Sequence, residues 1–558
     1  MANLSQKRRL RMLSFLNDLK EKNKDDDKTL MAINEIENAL NEKKYGLVWE
    51  QHEEAVDVKM RTHIPVFTED ASKKITCDTG GVYNFLLEGD NLHSLRLLEK
   101  THKSRIDVIY IDPPYNTKNK DFIYNDCKIG DDDGFRHSKW ISFMAERLRI
   151  AQKLLSDSGV IFISIDDNEQ AALKLLCDEV FGEEAFVAHI PWRKRTAKSD
   201  VPFGISQDCE SILCYANPDF KAAVKGKERK YYETPDFPGK PWRFHDLTKQ
   251  TTVEERPNSN FTIINPKNGD EYPVNPLRSW AITKETFDYY YSIDRIIFPG
   301  DYDFLKISKP VLRYWKEDDV KKAGANFGLV AVSTYLPSET VGMTQDGTKE
   351  ITNLFGTKKF NFPKPTGLIK YLVEIATVRN TSATILDFFA GSGTTAQAIL
   401  ELNKEDGGHR KFILCTNDEN NICSDVTYPR VNTVITGIRQ DGSLYANGIP
   451  ANLKYYRTDF VSKDEEFLSD ALLEHIAEMI QLEHGVKLDG KQYIMVLSDE
   501  EADHLAKHWQ DYPDVKALYI SKDVLLTTEQ NTLFQNADIH IIPDYYFDFE
   551  LREVGESW

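Results

Sequence analysis

Apolar residues follow two alternating patterns between residues 76 and 190. Short apolar runs at 83–87, 106–111 and 160–165 predict strands, and apolar positions at helical spacing predict helices at 92–100, 140–155 and 170–181. Strands that alternate with helices are typical of a parallel sheet joined by helical crossovers. This stretch therefore predicts part of an α/β fold.

The same alternation returns at 360–440, where helices are predicted at 367–376 and 394–402 and strands at 383–388 and 412–416. Neither stretch has enough strands to form a complete sheet alone. We therefore predict an α/β fold with one doubly wound, mostly parallel sheet, formed by 76–190 and 359–440 and split by an insertion at 191–358. An insertion at the carboxyl ends of such strands is placed over the usual ligand site.

Two flanking regions complete the prediction. Residues 1–75 have apolar residues at helical spacing on both sides of the polar run 24–28, which predicts a helical N-terminal region with a structural role. Residues 441–558 contain short apolar runs at 493–497, 517–520 and 539–542 and a helical stretch at 471–483. These patterns predict a small, separate α/β domain.

Charge distinguishes these regions from one another. The 558 residues carry a net charge of −19, yet 441–558 contain 24 acidic and 9 basic residues, whereas 191–316 contain 17 acidic and 21 basic residues. Because phosphate contacts come from Lys and Arg, the acidic end is expected to lie away from nucleic acid. It would serve protein contacts or, alternatively, only solubility, and the insertion is the region whose charge would permit contact with phosphates.

The composition narrows the class of protein further. Charged residues make up 28% and hydrophobic residues 41% of the chain, no apolar run reaches the length of a membrane span, and the start has no recognisable secretion signal. The seven cysteines are scattered without a Cys-x-x-Cys pair, so no metal site is predicted. A cytoplasmic protein without membrane contact is expected.

The first candidate site is the motif Asp112-Pro113-Pro114-Tyr115, which directly follows the strand predicted at 106–111. A carboxylate, a carbonyl and an aromatic ring suit a flat base that bears an amino group, such as adenine. That amino group is a poor nucleophile because its lone pair is delocalised into the ring. The Asp112 carboxylate and the Pro113 carbonyl can accept its two hydrogens, and Tyr115 can stack on an extruded base. Consecutive prolines stiffen the loop. The alternative interpretation is a turn that merely closes a surface loop.

Two other methyl-transfer chemistries are disfavoured by the sequence. Methylation at C5 of cytosine requires an activated cysteine, normally after a proline, and the chain contains no Pro-Cys pair. Asp rather than Asn at position 112 argues against methylation of a protein glutamine. An exocyclic amine is therefore the favoured methyl acceptor.

The second candidate site follows the strand predicted at 383–388 and contains Asp387, Phe388, Phe389, Ala390, Gly391, Ser392, Gly393, Thr394 and Thr395. Two glycines permit a tight turn and close approach of a nucleoside cofactor to the backbone, and the next helix presents its amide end. After the following strand, acceptors for ribose hydroxyls are available at Asn417, Asp418 and Glu419.

Three further positions have two interpretations each. Asp90 and Asn91 either cap the helix that follows them or contact the adenine of the cofactor. Lys364 either meets the carboxylate of the cofactor or is solvated.

Together these motifs resemble those of the Mod subunits of type III restriction-modification systems, β-class N6-adenine DNA methyltransferases in which Asp-Pro-Pro-Tyr precedes Phe-x-Gly-x-Gly. Outside the glycine motif the similarity lies in residues 88–92, 107–117, 137–140, 164–169, 347–350 and 362–365, within 80–440. It implies that Phe389 to Gly393 form the loop that binds S-adenosylmethionine and that Asp112 to Tyr115 form the catalytic loop. It fades after residue 440.

The resemblance also implies partners. Mod subunits act as homodimers on duplex DNA and usually work beside a helicase-nuclease Res subunit. The insertion then becomes the candidate target-recognition domain, and its densest basic cluster is expected mainly to contact phosphates. That cluster consists of Arg193, Lys194, Arg195 and Lys198.

We therefore expect an S-adenosylmethionine-dependent, site-specific DNA adenine N6-methyltransferase that serves as the modification and recognition subunit of a type III system. One alternative is a solitary or type II-like adenine methyltransferase without a nuclease partner. The other is a non-catalytic DNA-recognition module, which the presence of both motifs disfavours.

Overall fold

The computed structural model of the chain describes residues 4–22, 27–41, 49–77, 81–117, 123–124, 127–128, 134–196, 204–252, 254–275, 277–488 and 490–556. The chain forms two compact units. The main unit comprises Met1–Lys221 and Ser333–Trp558, and the insertion unit comprises Ala222–Val332. Within the described ranges, no helix combines the length and the apolar character that crossing a membrane requires.

The first part of the main unit begins with helices and then alternates between strands and helices. In chain order its elements are α1 (Leu4–Lys22), α2 (Asp27–Asn41), α3 (Ala55–Met60), β1 (His63–Glu69), β2 (Tyr83–Glu88), α4 (Asn91–Thr101), β3 (Ile106–Ile111), β4 (Ile123–Tyr124), β5 (Cys127–Lys128), α5 (Arg136–Leu154), β6 (Leu155–Ile165), α6 (Gln170–Phe181), β7 (Phe186–Arg193) and β8 (Cys209–Ala216).

The insertion unit consists mainly of short strands. Its elements are β9 (Val224–Lys225), β10 (Tyr232–Thr234), β11 (Phe237–Asp246), β12 (Thr248–Lys249), β13 (Ile263–Ile264), β14 (Glu271–Tyr272), β15 (Ser279–Trp280), α7 (Lys284–Ser292), β16 (Ile296–Ile297), β17 (Val311–Trp315), α8 (Lys316–Ala323) and β18 (Leu329–Val330). An antiparallel sheet runs in the order β10-β11-β17-β16. Buried clusters around Trp242 and Trp280 give the unit a core of its own.

The chain then returns to the main unit. The remaining elements are α9 (Ser338–Val341), α10 (Thr344–Phe355), α11 (Thr366–Thr377), β19 (Thr384–Asp387), α12 (Thr394–Asp406), β20 (Lys411–Thr416), α13 (Tyr428–Thr436), β21 (Asn452–Ser462), α14 (Leu468–Leu473), α15 (Ile476–His484), β22 (Tyr493–Val496), α16 (Asp499–Lys507), β23 (Ala517–Ser521), α17 (Thr528–Phe534), β24 (Asp538–Ile542) and α18 (Asp544–Val554).

One large sheet organises the main unit. Among the described residues it contains nine strands in the order β1-β21-β2-β20-β19-β3-β6-β8-β7. The neighbours from β21 to β6 pair in parallel, and β1, β8 and β7 are antiparallel to their neighbours. This order confirms the predicted doubly wound, mostly parallel sheet, in which β19 and β20 lie between β2 and β3.

Both candidate motifs follow strands that are direct neighbours. In the parallel pair of β3 and β19, Val108 lies opposite Ile385 and Ile109 opposite Leu386. Because parallel strands end at the same edge of a sheet, the two motif loops meet there although they are far apart in the chain.

The insertion unit is shorter than the insertion predicted at 191–358. β7 and β8 extend the large sheet, and α9 and α10 also belong to the main unit. Residues 211–216 of β8 are all buried. They belong to the large sheet because neighbouring strands and helices cover them, and local composition does not reveal that cover.

The C-terminal region is not the separate domain that the sequence predicts. β21 pairs with both β2 and β1 inside the large sheet. β22, β23 and β24 form a second, parallel sheet. Its residues Ala517 and Tyr519 belong to the core of the main unit, whereas Leu518 and Ile520 pack in a small core on the opposite face. The apolar runs predict these strands correctly. They do not reveal that one face of the second sheet packs against the core of the main unit.

The N-terminal region is helical only in part. α1, α2 and α3 agree with the predicted helical character of 1–75, whereas β1 is an edge strand whose residues Ile64, Val66 and Phe67 are buried. Pairing with β21 explains this difference, because strand formation depends on neighbouring strands more than on local preference.

Truncation tests this view of the C-terminal region. Deleting residues 441–558 removes β21 and with it the ladder of β1 and one of the two ladders of β2, so we expect the remaining chain to lose its cooperative thermal transition in circular dichroism. Deleting residues 1–41 is the control, because Leu16 and Ile33 are buried outside the main core cluster. A 1–440 fragment that melts cooperatively at the full-length temperature would contradict this expectation.

Candidate active site

A cavity of about 410 Å³ opens at the edge of the sheet where the two motif loops meet. It combines residues of the Asp-Pro-Pro-Tyr loop and of the glycine turn with residues that follow β2 and β20. Its lining consists of Glu54, Ala55, Val56, Asp90, Asn91, Asp112, Pro114, Phe143, Phe360, Phe388, Phe389, Gly391, Cys415, Thr416, Asn417, Glu419 and Ile422.

The glycine turn presents backbone to this cavity. Gly391 has a φ of +48°, and a Cβ built on it would lie 3.5 Å from the ring of Phe360. Its carbonyl accepts the hydroxyl of Thr427 at 2.6 Å, and the amide of Ala390 donates to the carbonyl of Cys415 at 3.1 Å. These bonds fix the turn against its neighbours. Gly393, with a φ of +75°, leads into α12 and does not line the cavity.

Asp387 supports the turn from below and is not part of the cavity lining. Its carboxylate accepts the amide of Phe389 at 3.0 Å and the hydroxyl of Thr395. Burial raises the pKa of Asp387 to about 7. The structure thus places this residue, predicted to bind the cofactor, where it shapes the loop.

Ser392 and Thr394 also turn away from the cavity. Nη1 of Arg430 lies 3.2 Å from the Ser392 hydroxyl and 2.8 Å from the Thr394 hydroxyl, and Nη2 lies 3.3 Å from Glu350. Arg430 is fully buried. Sequence reasoning missed this arginine, which anchors the start of α12 through the hydroxyls of the motif.

Arg147 plays a similar part on the opposite wall and was also missed. Its guanidinium donates to Glu54 at 2.6 and 3.1 Å, to Asn91 at 2.6 Å and to Asp90 at 3.4 Å, and it lies over the ring of Phe143. All four partners line the cavity. The available signal was a charged residue on the apolar face of α5.

The capping interpretation of Asp90 is confirmed, and contact with the cofactor stays a prediction. The Asp90 carboxylate caps α4 by accepting the amide of Leu92 at 2.8 Å, and the residue also lines the cavity. Asn91 lines the cavity too, and its amide donates to the carbonyl of Phe388 at 2.8 Å. A bond from the start of α4 to the end of β19 therefore joins the two halves of the sheet at the site.

The acceptors after β20 divide into two groups. Asn417 and Glu419 line the cavity, as a role in holding a ribose requires. Asp418 instead accepts the amide and the hydroxyl of Ser424 at 2.9 and 3.1 Å and shapes the loop.

Lys364 is not solvated, and its predicted contact with the carboxylate of the cofactor stays a prediction. It is 8% exposed, and its Nζ lies 2.8 Å from each oxygen of Asp112, 2.8 Å from the hydroxyl of Tyr115 and 3.4 Å from Glu210. The ammonium group is directed at the Asp-Pro-Pro-Tyr motif. Glu210 was not identified from sequence. It lies in β8, directly before the buried residues 211–216.

Neighbouring residues hold the Asp-Pro-Pro-Tyr loop in place. Nε1 of Trp140 donates to the carbonyl of Pro114 at 2.7 Å, and Pro113 is buried. Asn116 has a φ of +54°, and its buried amide donates to Glu169 at 2.5 Å. Asn is one of the residues that tolerate this left-handed conformation, and its bond to Glu169 fixes the loop just after the Asp-Pro-Pro-Tyr motif.

Two described members of the predicted basic cluster lie beside carboxylates. Arg193 is exposed, as a phosphate contact requires, but Lys194 donates to Glu210 at 3.2 Å and Arg195 lies 3.8 Å from Asp208. Lys194 therefore belongs to the charged group around Asp112. Lys198 lies outside the described residues.

Arg147 offers a test of the cavity wall. In Arg147→Met the buried carboxylate of Glu54 loses its cationic partner, so we expect the free energy of unfolding to fall by about 3–5 kcal/mol in urea denaturation. Arg149→Met is the matched control, because that side chain is 41% exposed on the same helix. Equal effects of the two substitutions would show that the buried ion pair does not hold the wall.

Comparison with known proteins follows the same motifs. A family model described as DNA methylase matches residues 106–428. The type III restriction-modification enzyme StyLTI Mod subunit of Salmonella typhimurium is 32% identical over 457 residues, covering 73% of this chain and 65% of that protein. The EcoPI Mod subunit of Escherichia phage P1 is 33% identical over 450 residues, covering 70% and 66%. The chain thus spans slightly less than two thirds of the length of these two relatives.

Other matches include a type II enzyme and solved structures. The type II methyltransferase M.KpnI of Klebsiella pneumoniae is 33% identical over 353 residues, covering 58% of this chain and 78% of that protein. The crystal structure of the M1.HpyAVI-SAM complex aligns with a TM-score of 0.27 at 15% identity, covering 62% of this chain and 98% of that chain.

The match to the family model assigns the chain to a family. Residues 106–428 make up more than half of the chain and include both motif loops and the strands β3 and β19 that bring them together. The chain belongs to the DNA methylase family.

Proposed function

We propose that this chain is a site-specific DNA adenine N6-methyltransferase that uses S-adenosylmethionine and serves as the modification subunit of a type III restriction-modification system. The observation that carries the proposal is the shared cavity, which the Asp-Pro-Pro-Tyr loop and the glycine turn both border. The StyLTI and EcoPI Mod relatives support the assignment to a type III system.

The charge of the cavity fits the proposed cofactor. Its lining includes four carboxylates, those of Glu54, Asp90, Asp112 and Glu419, and among the described lining residues there is no Lys or Arg. S-adenosylmethionine carries a sulfonium and an ammonium group, and when bound it supplies an electrophilic methyl group. The cofactor also carries a carboxylate, so its net charge is +1. Arg147 and Lys364 already contact three of the four lining carboxylates, which leaves a lining that is compatible with a cofactor of this charge.

The residues that would hold the cofactor lie on three loops. Phe389 and Gly391 offer an aromatic ring and an open backbone, and Asn417 and Glu419 offer acceptors for hydroxyl groups. The turn at Gly391 has no Cβ, so a flat nucleoside can approach the backbone.

The catalytic loop would bind and orient the amine of the target base. Asp112 and the carbonyl of Pro113 accept its hydrogens, which draws the nitrogen toward tetrahedral geometry. Tyr115 offers its ring for stacking, and the surrounding hydrogen bonds keep the loop in one arrangement before the base arrives. The Asp112 carboxylate then accepts the proton that the methylated nitrogen must lose.

The insertion unit is the proposed reader of the DNA sequence. Residues 191–316, most of which it contains, are the basic part of an acidic chain. In this proposal the protein works in the cytoplasm as a homodimer on duplex DNA, and a Res helicase-nuclease subunit joins it. Copurification with such a subunit tests the last step.

M.KpnI favours a second candidate function. That type II methyltransferase matches over 78% of its own length. A solitary or type II-like adenine methyltransferase would give the same methylation but would need no nuclease partner.

Expression of the chain in cells that lack adenine methylation tests the proposed reaction. We expect single-molecule sequencing of the DNA to detect N6-methyladenine in one sequence motif, and Asp112→Ala to lower the methylation rate about 10²–10³-fold because the acceptor for the amine is lost. Asp157→Ala, an exposed position on β6, serves as the control. Unchanged turnover by Asp112→Ala, with folding intact, would reject the assigned role.

The glycine turn tests the cofactor site. Gly391→Val places a side chain in the cavity, so we expect calorimetry to detect at least a tenfold loss of S-adenosylmethionine affinity, about 1.4 kcal/mol. Gly407→Val controls for backbone strain, because Gly407 has a φ of +71° and nothing within 4 Å of its Cβ position. If both variants bind the cofactor as the wild type does, the turn is not the cofactor site.

A further inference from the structure

Lys364 forms an ion pair with Asp112, the carboxylate that the proposed reaction requires. Its Nζ lies 2.8 Å from both oxygens of Asp112 and 2.8 Å from the hydroxyl of Tyr115. With 8% of its surface exposed, the lysine has little access to water. Both oxygens are thus engaged by a cation before any target base arrives.

Glu210 offers this cation a second anionic partner. Its Oε2 lies 3.4 Å from Nζ of Lys364 and 3.1 Å from the hydroxyl of Tyr115. Its Oε1 accepts Nζ of Lys194 at 3.2 Å, and its side chain is 12% exposed. Two carboxylates and two ammonium groups therefore form one compact set, in which Lys364 contacts both acids.

The electrostatics keep both central groups ionised. Burial lowers the pKa of Lys364, but Asp112 and Glu210 outweigh burial and raise the pKa above its ordinary value. Burial likewise raises the pKa of Glu210, yet Lys364 and Lys194 hold the pKa below its ordinary value. A buried ammonium group without an anion is strongly unfavourable, so Lys364 can leave Asp112 only toward another carboxylate.

We propose that Glu210 is a positioning residue that receives the ammonium group of Lys364 when the amine of a target base engages Asp112. This inference rests on the proposed function above. The arriving amine donates one hydrogen to Asp112 and the other to the carbonyl of Pro113, and Lys364 shifts its bond toward Glu210. The hydroxyl of Tyr115 stays within reach of both carboxylates. Neither arrangement leaves a buried charge without a partner.

The exchange distinguishes bases that carry an amine from those that do not. Glu210→Gln keeps the shape of the side chain but removes the charge that receives Lys364. We expect the Kd for a duplex with adenine at the target position to rise about 10- to 100-fold, the loss of one hydrogen bond to a charged group. The Kd for the same duplex with purine, which lacks the amine, should not change. Fluorescence anisotropy measures both, with the target position taken from the motif that the wild-type protein methylates.

Two further variants sharpen the experiment. Glu146→Gln is the control for loss of a carboxylate, because that side chain is 37% exposed on α5. Glu210→Asp keeps the charge but shortens the side chain, so we expect an intermediate rise of the Kd for the adenine duplex alone. This variant also decides the question if the Gln variant does not fold. In steady state, Glu210→Gln should lower kcat and leave the KM for S-adenosylmethionine unchanged.

The outcomes separate this inference from the proposed function. Equal weakening of binding to the adenine and purine duplexes, or no weakening of either, would overturn the role of Glu210. A wild-type protein that methylates no DNA would instead reject the function on which the inference rests.

Discussion

The parallel pairing of β3 with β19 is the constraint on which the site depends. Two registered pairs, Val108 with Ile385 and Ile109 with Leu386, join the two halves of the sheet. A slip of one residue would move one motif loop by about 3.3 Å along the strand and invert its side chains. The backbone ladder therefore places the loops, and their side chains remain available for the cavity and for the catalytic motif.

Two buried arginines fix the loops that the sheet brings together. Arg147 holds the wall around Glu54, and Arg430 holds the hydroxyls of the glycine motif. Both guanidinium groups are buried. An unpaired charge is costly in the protein interior, so each group is stable only with its full set of partners. The same demand that makes these residues sensitive to substitution gives the loops one preferred geometry, which is the preorganisation that a catalytic site needs.

Local patterns in the sequence were sufficient for the five central strands of the large sheet, for the two motifs and for the joining of two distant halves into one sheet. They were insufficient where partners lie far away in the chain. β1 and β21 form strands because they pair with each other, and Lys364 is buried because Asp112 and Glu210 face it. A lysine in an exposed loop and a lysine in an ion pair look alike in a linear sequence. Glu210, Arg147 and Arg430 could be suspected only as charges beside apolar runs, which gives their burial but not their partners.

The strand order also governs when the protein can assemble during synthesis. β2 lies between β20 and β21, and β3 lies beside β19, so the first strands to be made wait for partners that are translated several hundred residues later. The insertion unit has its own core and emerges before those partners, and domains generally fold as units during synthesis. Parallel pairing over such sequence separations is slow and leaves apolar strands uncovered in the interval. A nascent chain that stops before residue 452 consequently lacks β21, which leaves β1 without the strand it pairs with and one edge of β2 uncovered.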